Sequence, residues 1–138
     1  MQKSYLYLCF FFLILMKVNA QEIQAIKGET AYPFLIKDAD QDSVVTEKQP
    51  IIVFLHGRSL SGTNLDRVKR YGVLYAMNKG QEVPGIIVAP QSRGGWDPDK
   101  VIEIVDYVIE HYNADPDRVY VCGMSMGGYG TMDVAGKY

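Results

Sequence analysis

Gly123-Met124-Ser125-Met126-Gly127 sets one serine between two glycines, each two positions away. A serine hydroxyl is a weak nucleophile until a base takes its proton, and its chemistry is then attack on an acyl carbon. The G-x-S-x-G pattern is weak alone, because small residues recur by chance. Its context adds weight: residues 118–122 (RVYVC) read as a strand before it, and residues 126–138 begin a helix after it. A serine turned sharply out of a strand takes a strained conformation, and small neighbours let the helix pass close to the strand. Such a turn exposes Oγ above the carboxyl edge of a sheet and aims the helix amino end at a developing oxyanion. The stretch GMSMGGYG lacks the spacing of a GxGxxG dinucleotide turn.

The second feature is Leu55-His56-Gly57-Arg58, directly after the β-branched and aromatic run 51–55 (IIVFL). That run is expected to be a strand buried on both faces. In an α/β-hydrolase the loop after such a strand supplies one oxyanion N–H, and the residue after the nucleophile supplies the other. The expected donors are the backbone N–H groups of Arg58 and Met126, with Gly57, Gly123 and Gly127 as the motif glycines.

The positioning elements follow from pattern. Residues 64–78 read as one helix, capped by Thr63 or Asn64, with Leu65, Val68, Leu74 and Met77 inward and Gly72 weakening it. Residues 85–89 (GIIVA) form a second buried strand closed by Pro90. Asp97-Pro98 starts a helix with a capping carboxylate and a proline at its first position. Val101, Ile104, Val105, Val108 and Tyr112 make its apolar stripe, broadened by Ile102 and Ile109. Residues 31–36 (AYPFLI) suggest an early strand, pushed toward an edge by Pro33. Strand and helix alternating with short connections imply right-handed crossovers and a parallel sheet flanked by helices.

Residues 1–20 stand apart. Lys3 is a positive start, residues 5–16 (YLYLCFFFLILM) are an apolar run short for a bilayer, and Val18-Asn19-Ala20 offers small residues at a cleavage site. This is a secretory signal pattern, so the expected location is secreted or periplasmic, with no membrane attachment after cleavage. Residues 21–138 are then part of one α/β domain. Cleavage removes Cys9, leaving Cys122 with no partner for an internal disulfide. Composition is that of a globular protein: 48% hydrophobic, 22% charged, formal charge −2. No basic run appears, which argues against nucleic acid as a partner. Asp38, Asp40 and Asp42 alternate as in a calcium loop, but Ser43 and Gln49 stand where that loop needs Gly and Glu, so a solvated turn is expected and no metal site.

The segments PIIVFLHG, SGTNL, IIVAPQSRGGWDPD and DPDRVYVCGMSMGGYGTMD resemble secreted esterases of the dienelactone-hydrolase and carboxylesterase type. Relatives of that type include feruloyl and acetyl-xylan esterases and polyhydroxybutyrate depolymerases. The resemblance covers residues 50–138, with DPDRVYVCGMSMGG its most specific piece. It implies hydrolysis of carboxylic esters, small or polysaccharide-linked, through an acyl-enzyme on Ser125, with no metal or cofactor. A prolyl-oligopeptidase-like peptidase shares G-x-S-x-G and is the alternative, though no β-propeller sequence precedes the hydrolase part.

One departure from that pattern is large. Hydrolases of this fold order their triad Ser, then Asp or Glu, then His. Both histidines here, His56 and His111, precede Ser125, and the only acid after it is Asp133, inside the helix that the serine begins. His56 is expected to shape its turn and His111 to sit at a helix carboxyl end, so neither is expected to be the base. Cys122, ending a strand expected to be buried, is not expected to act as nucleophile. Domains of this class often run to roughly 200–250 residues. The chain therefore reads as the N-terminal part of an α/β-hydrolase, C-terminally incomplete and inactive as it stands. A non-catalytic fragment or binding module that keeps the Gly-rich turn is the competing class.

Overall fold

The computed structural model describes residues 23–38 and 47–138. The signal pattern of residues 1–20, with Cys9, lies outside the described residues, as do Asp40, Asp42 and Ser43 of the acidic turn. Asp38 lies within them and accepts a hydrogen bond from Gln49 Nε2 at 2.9 Å.

The strands are β1 (Gln24–Ile26), β2 (Phe34–Lys37), β3 (Gln49–Leu55), β4 (Ile86–Pro90) and β5 (Ala114–Gly123). The helices are α1 (Val73–Asn78), α2 (Pro98–His111) and α3 (Met126–Lys137). They form one sheet in the order β1-β2-β4-β3-β5. As expected, β4, β3 and β5 run parallel, with Val53 opposite both Val88 and Val121. The sheet as a whole is mixed, because β2 runs antiparallel to β4 and β1 antiparallel to β2.

The early strand is therefore interior, not the edge that Pro33 suggested. Pro33 sits one residue before β2, where its missing N–H costs the ladder nothing, and its carbonyl accepts the Gln91 N–H at 2.8 Å. Full burial on both faces belongs to β4 alone of the three parallel strands. β3 alternates, with Ile51, Val53 and Leu55 buried and Ile52 and Phe54 half-buried. β5 starts at Ala114, earlier than expected, and has β3 as its one neighbour in this sheet. Val119 and Val121 pack on the larger core, whereas the opposite face of β5 is open, so Cys122, expected to be buried, is exposed.

α2 matches its pattern. Asp97 accepts the Asp99 N–H at 3.1 Å, Pro98 occupies the first turn, and Val101, Ile104, Val105 and Val108 are buried. These residues join Ile51, Val53, Leu55, Trp96 and Val134 in the larger core, on one face of the sheet. Leu35, Leu65, Val68, Leu74 and Ile87 form the smaller one. Each fully buried aliphatic side chain contributes about 1.5–3 kcal/mol.

The single helix expected over residues 64–78 is broken. A 3-10 helix (Leu65–Lys69), capped by the Asn64 side chain, precedes the short α1. The break is at Gly72, whose φ is +81°, and a Cβ there would lie 2.2 Å from the Phe54 ring. Packing that backbone flat against β3 is worth more than continuing the helix. Among the described residues no helix is long and apolar enough to cross a membrane.

Candidate active site

Ser125 joins β5 to α3 with φ 54° and ψ −117°, and among the described residues it alone has positive φ without being glycine. Such a conformation costs of order 1–3 kcal/mol and persists only where the surroundings enforce it. Here they do. Met124 N–H donates to the Leu55 carbonyl at 3.2 Å, tying the turn to the end of β3. Gly127 N–H returns to the Met124 carbonyl at 2.9 Å, and Gly128 and Tyr129 both donate to the Ser125 carbonyl.

The glycines are there for room. A Cβ on Gly127 would lie 1.8 Å from the Leu55 carbonyl oxygen, and one on Gly123 would lie 2.3 Å from the Gly127 carbonyl oxygen. A Cβ on Gly57 would lie 3.5 Å from Ser125 Cβ, which sets the loop after β3 directly beside the serine. Ser125 itself is exposed, at the carboxyl edge of the parallel strands.

Arg58 opens a 3-10 turn (Arg58–Leu60) and Met126 opens α3. The first N–H of a helix has no carbonyl of its own helix to bind. No hydrogen bond from either amide is seen among the described residues. The 58–61 loop is pinned from behind by Arg67, whose guanidinium donates to the Ser61 carbonyl at 3.2 Å and to the Ser59 carbonyl.

His56 is 1% exposed and fully engaged. Its Nε2 accepts the Ser92 N–H at 3.1 Å, so that nitrogen carries no proton. Its Nδ1 carries the proton and donates to the Gly57 carbonyl at 2.8 Å. Burial pushes the imidazole below the ordinary histidine range, outweighing the Gly57 carbonyl that favours its charged form, and the Arg67 charge adds to the lowering. A neutral ring with both nitrogens occupied is a structural brace, as the sequence suggested. Trp96 extends it: its indole N–H donates to the His56 carbonyl at 3.1 Å, and its ring meets the imidazole edge-on at 4.8 Å. α3 lies against Trp96 through Gly130, where a Cβ would stand 2.6 Å from Trp96 Cβ.

His111 ends α2, its Nδ1 2.8 Å from the Tyr107 carbonyl and its ring stacked on Tyr107. α2 starts after the carboxyl end of β4 and spans 14 residues. That carries His111 roughly 20 Å along, toward the opposite edge of the sheet from Ser125. Asp133 is exposed on α3. The surrounding protein pushes the Cys122 thiol up, although the residue is exposed, so it stays protonated.

Two residues escaped the sequence reading. Tyr71 stands beside the serine loop, its hydroxyl accepting the Gly57 N–H at 2.8 Å. Trp96 lies within the GGWDPD segment, where nothing assigned it a contact. Tyr32, which meets the Trp96 ring edge-on, lines a cleft of about 490 Å³ together with Gly62, Thr63, Gln91, Arg93 and Lys100.

Residues 89–138, from the end of β4 through α3, match the Prolyl oligopeptidase family. No curated protein matches the chain. Among 12 matching solved chains is a structure described as a thermostable esterase. It shares 24% identity over 79% of this chain, with a TM-score of 0.61. The chain spans 36% of that structure's length. The chain has the α/β-hydrolase fold. One comparison matches residues 89–138 to a peptidase family and the other matches the fold to a structure described as an esterase.

Proposed function

We propose that this chain carries the nucleophile and oxyanion side of a serine hydrolase acting on carboxylic esters. The observation that carries the reading is the conformation of Ser125, strained at φ 54° and held so that its hydroxyl stands exposed ahead of α3. A fold stores that strain where a nucleophile has to be presented, and a structural Gly-rich turn has no use for it.

In this reading a base takes the Oγ proton and Oγ bonds to the acyl carbon. The carbonyl electron pair moves onto oxygen, where the Arg58 and Met126 amides receive it and the α3 dipole favours the charge. The intermediate then expels the alcohol, leaving an acyl group on Ser125 for water to remove. The base is neither His56, whose nitrogens are occupied, nor His111, at the far end of α2. The ester is small or polysaccharide-linked. Residues 1–20 act as an export signal, and residues 21–138 work outside the cytoplasm as part of one domain.

A peptidase is the second reading, favoured by the family match over residues 89–138. The test is the native protein, as its gene encodes it, assayed with p-nitrophenyl acetate and with peptide p-nitroanilides. Ester turnover abolished by Ser125→Ala is the expected result. Preference for peptides would favour the second reading. Turnover unaffected by Ser125→Ala would rule out Ser125 as the nucleophile, and turnover absent with both substrates would leave a binding module.

A further inference from the structure

We infer that Tyr71 is a positioning residue of this site: its hydroxyl occupies the Gly57 amide and thereby leaves the Arg58 amide to face the substrate's acyl oxygen. The inference rests on the serine-hydrolase reading above and adds a residue to it.

Two successive amides lie in the loop beside the serine. Gly57 and Arg58 both belong to the loop after β3, where a Cβ on Gly57 would lie 3.5 Å from Ser125 Cβ. Only one of them is spoken for. The Gly57 N–H donates to Tyr71 Oη at 2.8 Å, whereas Arg58 opens its 3-10 turn with no acceptor for its N–H among the described residues. Gly57 has φ −79° and ψ 170°, which is extended backbone. Successive peptide groups in extended backbone alternate sides. Holding the Gly57 N–H on Tyr71 therefore turns the Arg58 N–H away from it.

The tyrosine is itself held. Its ring meets Phe54 edge-on at 6.4 Å, and Gly72, the next residue, packs flat on the same phenylalanine. Its hydroxyl, having accepted from Gly57, keeps one proton, with Ser59 Oγ at 3.4 Å as the nearby oxygen. The position is tight: a Cβ on Gly57 would lie 2.9 Å from Tyr71 Oη and 3.1 Å from the Met124 carbonyl oxygen. Tyr71 thus reaches the reacting region through Gly57, without being placed on the substrate.

The test has two arms on the native protein. In the first, Tyr71→Phe keeps the ring on Phe54 and removes the acceptor. Losing an oxyanion donor outright slows kcat by about 10²–10³-fold, so a misaimed one should lower kcat for p-nitrophenyl acetate at least ~10-fold, with KM within about twofold. Tyr75→Phe, an exposed control on α1, should leave both unchanged. A change in KM alone, or an unaltered kcat, overturns the inference. The second arm needs no variant. Diethyl p-nitrophenyl phosphate is used to phosphorylate Ser125, and amide resonances are compared before and after. The Arg58 proton should move downfield while the Gly57 proton stays in place. A shift at Gly57 with none at Arg58 overturns the inference and leaves the serine-hydrolase reading intact. If no adduct forms on Ser125, that reading fails and this inference fails with it.

Discussion

Gly127 and Gly128 are neighbours in the first turn of α3, and replacing each with alanine should have opposite effects. At Gly128 the nearest atom to an added Cβ is the Gly123 carbonyl oxygen at 3.7 Å, an ordinary contact. Alanine there should add up to about 1 kcal/mol, the usual helix-interior gain over glycine. At Gly127 the added Cβ would lie 1.8 Å from the Leu55 carbonyl oxygen, 2.5 Å from its carbon and 2.9 Å from the His56 carbonyl oxygen. All three atoms are backbone at or just past the carboxyl end of β3, so no side chain can swing aside. Either α3 lifts off the sheet or β3 gives up its pairing with β5. Overpacking typically costs 1–3 kcal/mol, and an obstacle of this kind belongs at or above the top of that range. Subtracting the propensity gain leaves a net loss of about 2–3 kcal/mol, a large share of a total near 5–15. Urea denaturation of the native protein and both variants measures it. The predicted order of midpoints is Gly128→Ala at or above wild type and Gly127→Ala well below. Equal midpoints for the two variants would refute the argument that the motif glycine exists for helix–strand clearance.

Three other outcomes are expected. His56 has a folded pKa below its ordinary 6.5, so as pH falls through that value the unfolded chain gains a proton that the folded chain resists, and stability present above it is lost. Urea midpoints at pH 7.5 and 5.5 should differ more for wild type than for His56→Gln, which cannot titrate, and an equal drop in both would contradict the buried neutral imidazole. The 138-residue chain itself should hydrolyse p-nitrophenyl acetate hardly above background, and robust turnover lost on His56→Ala would make His56 the base after all. Protein recovered outside the cytoplasm should begin at Gln21, and amino-terminal sequencing that finds Met1 there would refute the export signal.

What could be read from the residues, and what could not, follows the range of the interactions involved. The parallel strands, α2 and the serine turn each announce themselves locally: an apolar run, a capping Asp97 before Pro98, glycines around Ser125. The break at Gly72 depends on Phe54, 18 positions earlier in the chain, so the apolar spacing of residues 65–77 showed one continuous helix. β2 looked like an edge because Pro33 was counted inside it, and only the pairing with β1 and β4 reveals an interior, antiparallel strand. The exposure of Cys122 likewise depends on which face of β5 the helices cover, a property of tertiary packing rather than of RVYVC. Tyr71 was invisible for the same reason as the helix break. A tyrosine before a glycine carries no mark that its hydroxyl meets Gly57, 14 residues upstream.

The brace built on His56 also divides the site's rim for anyone wishing to alter what it accepts. The imidazole clamps the loops after β3 and β4 together through Gly57 and Ser92, and Trp96 locks the far end of the second loop to the first. Mutational libraries aimed at His56, Gln91, Ser92 or Trp96 would mostly return destabilised clones, since each is at least nine-tenths buried. Arg58, Ser59, Arg93, Gly94 and Gly95 are exposed on the same two loops. Diversity placed there can reshape the entrance while the scaffold beneath stays constant, so these loops are where new substrate preferences should be sought first.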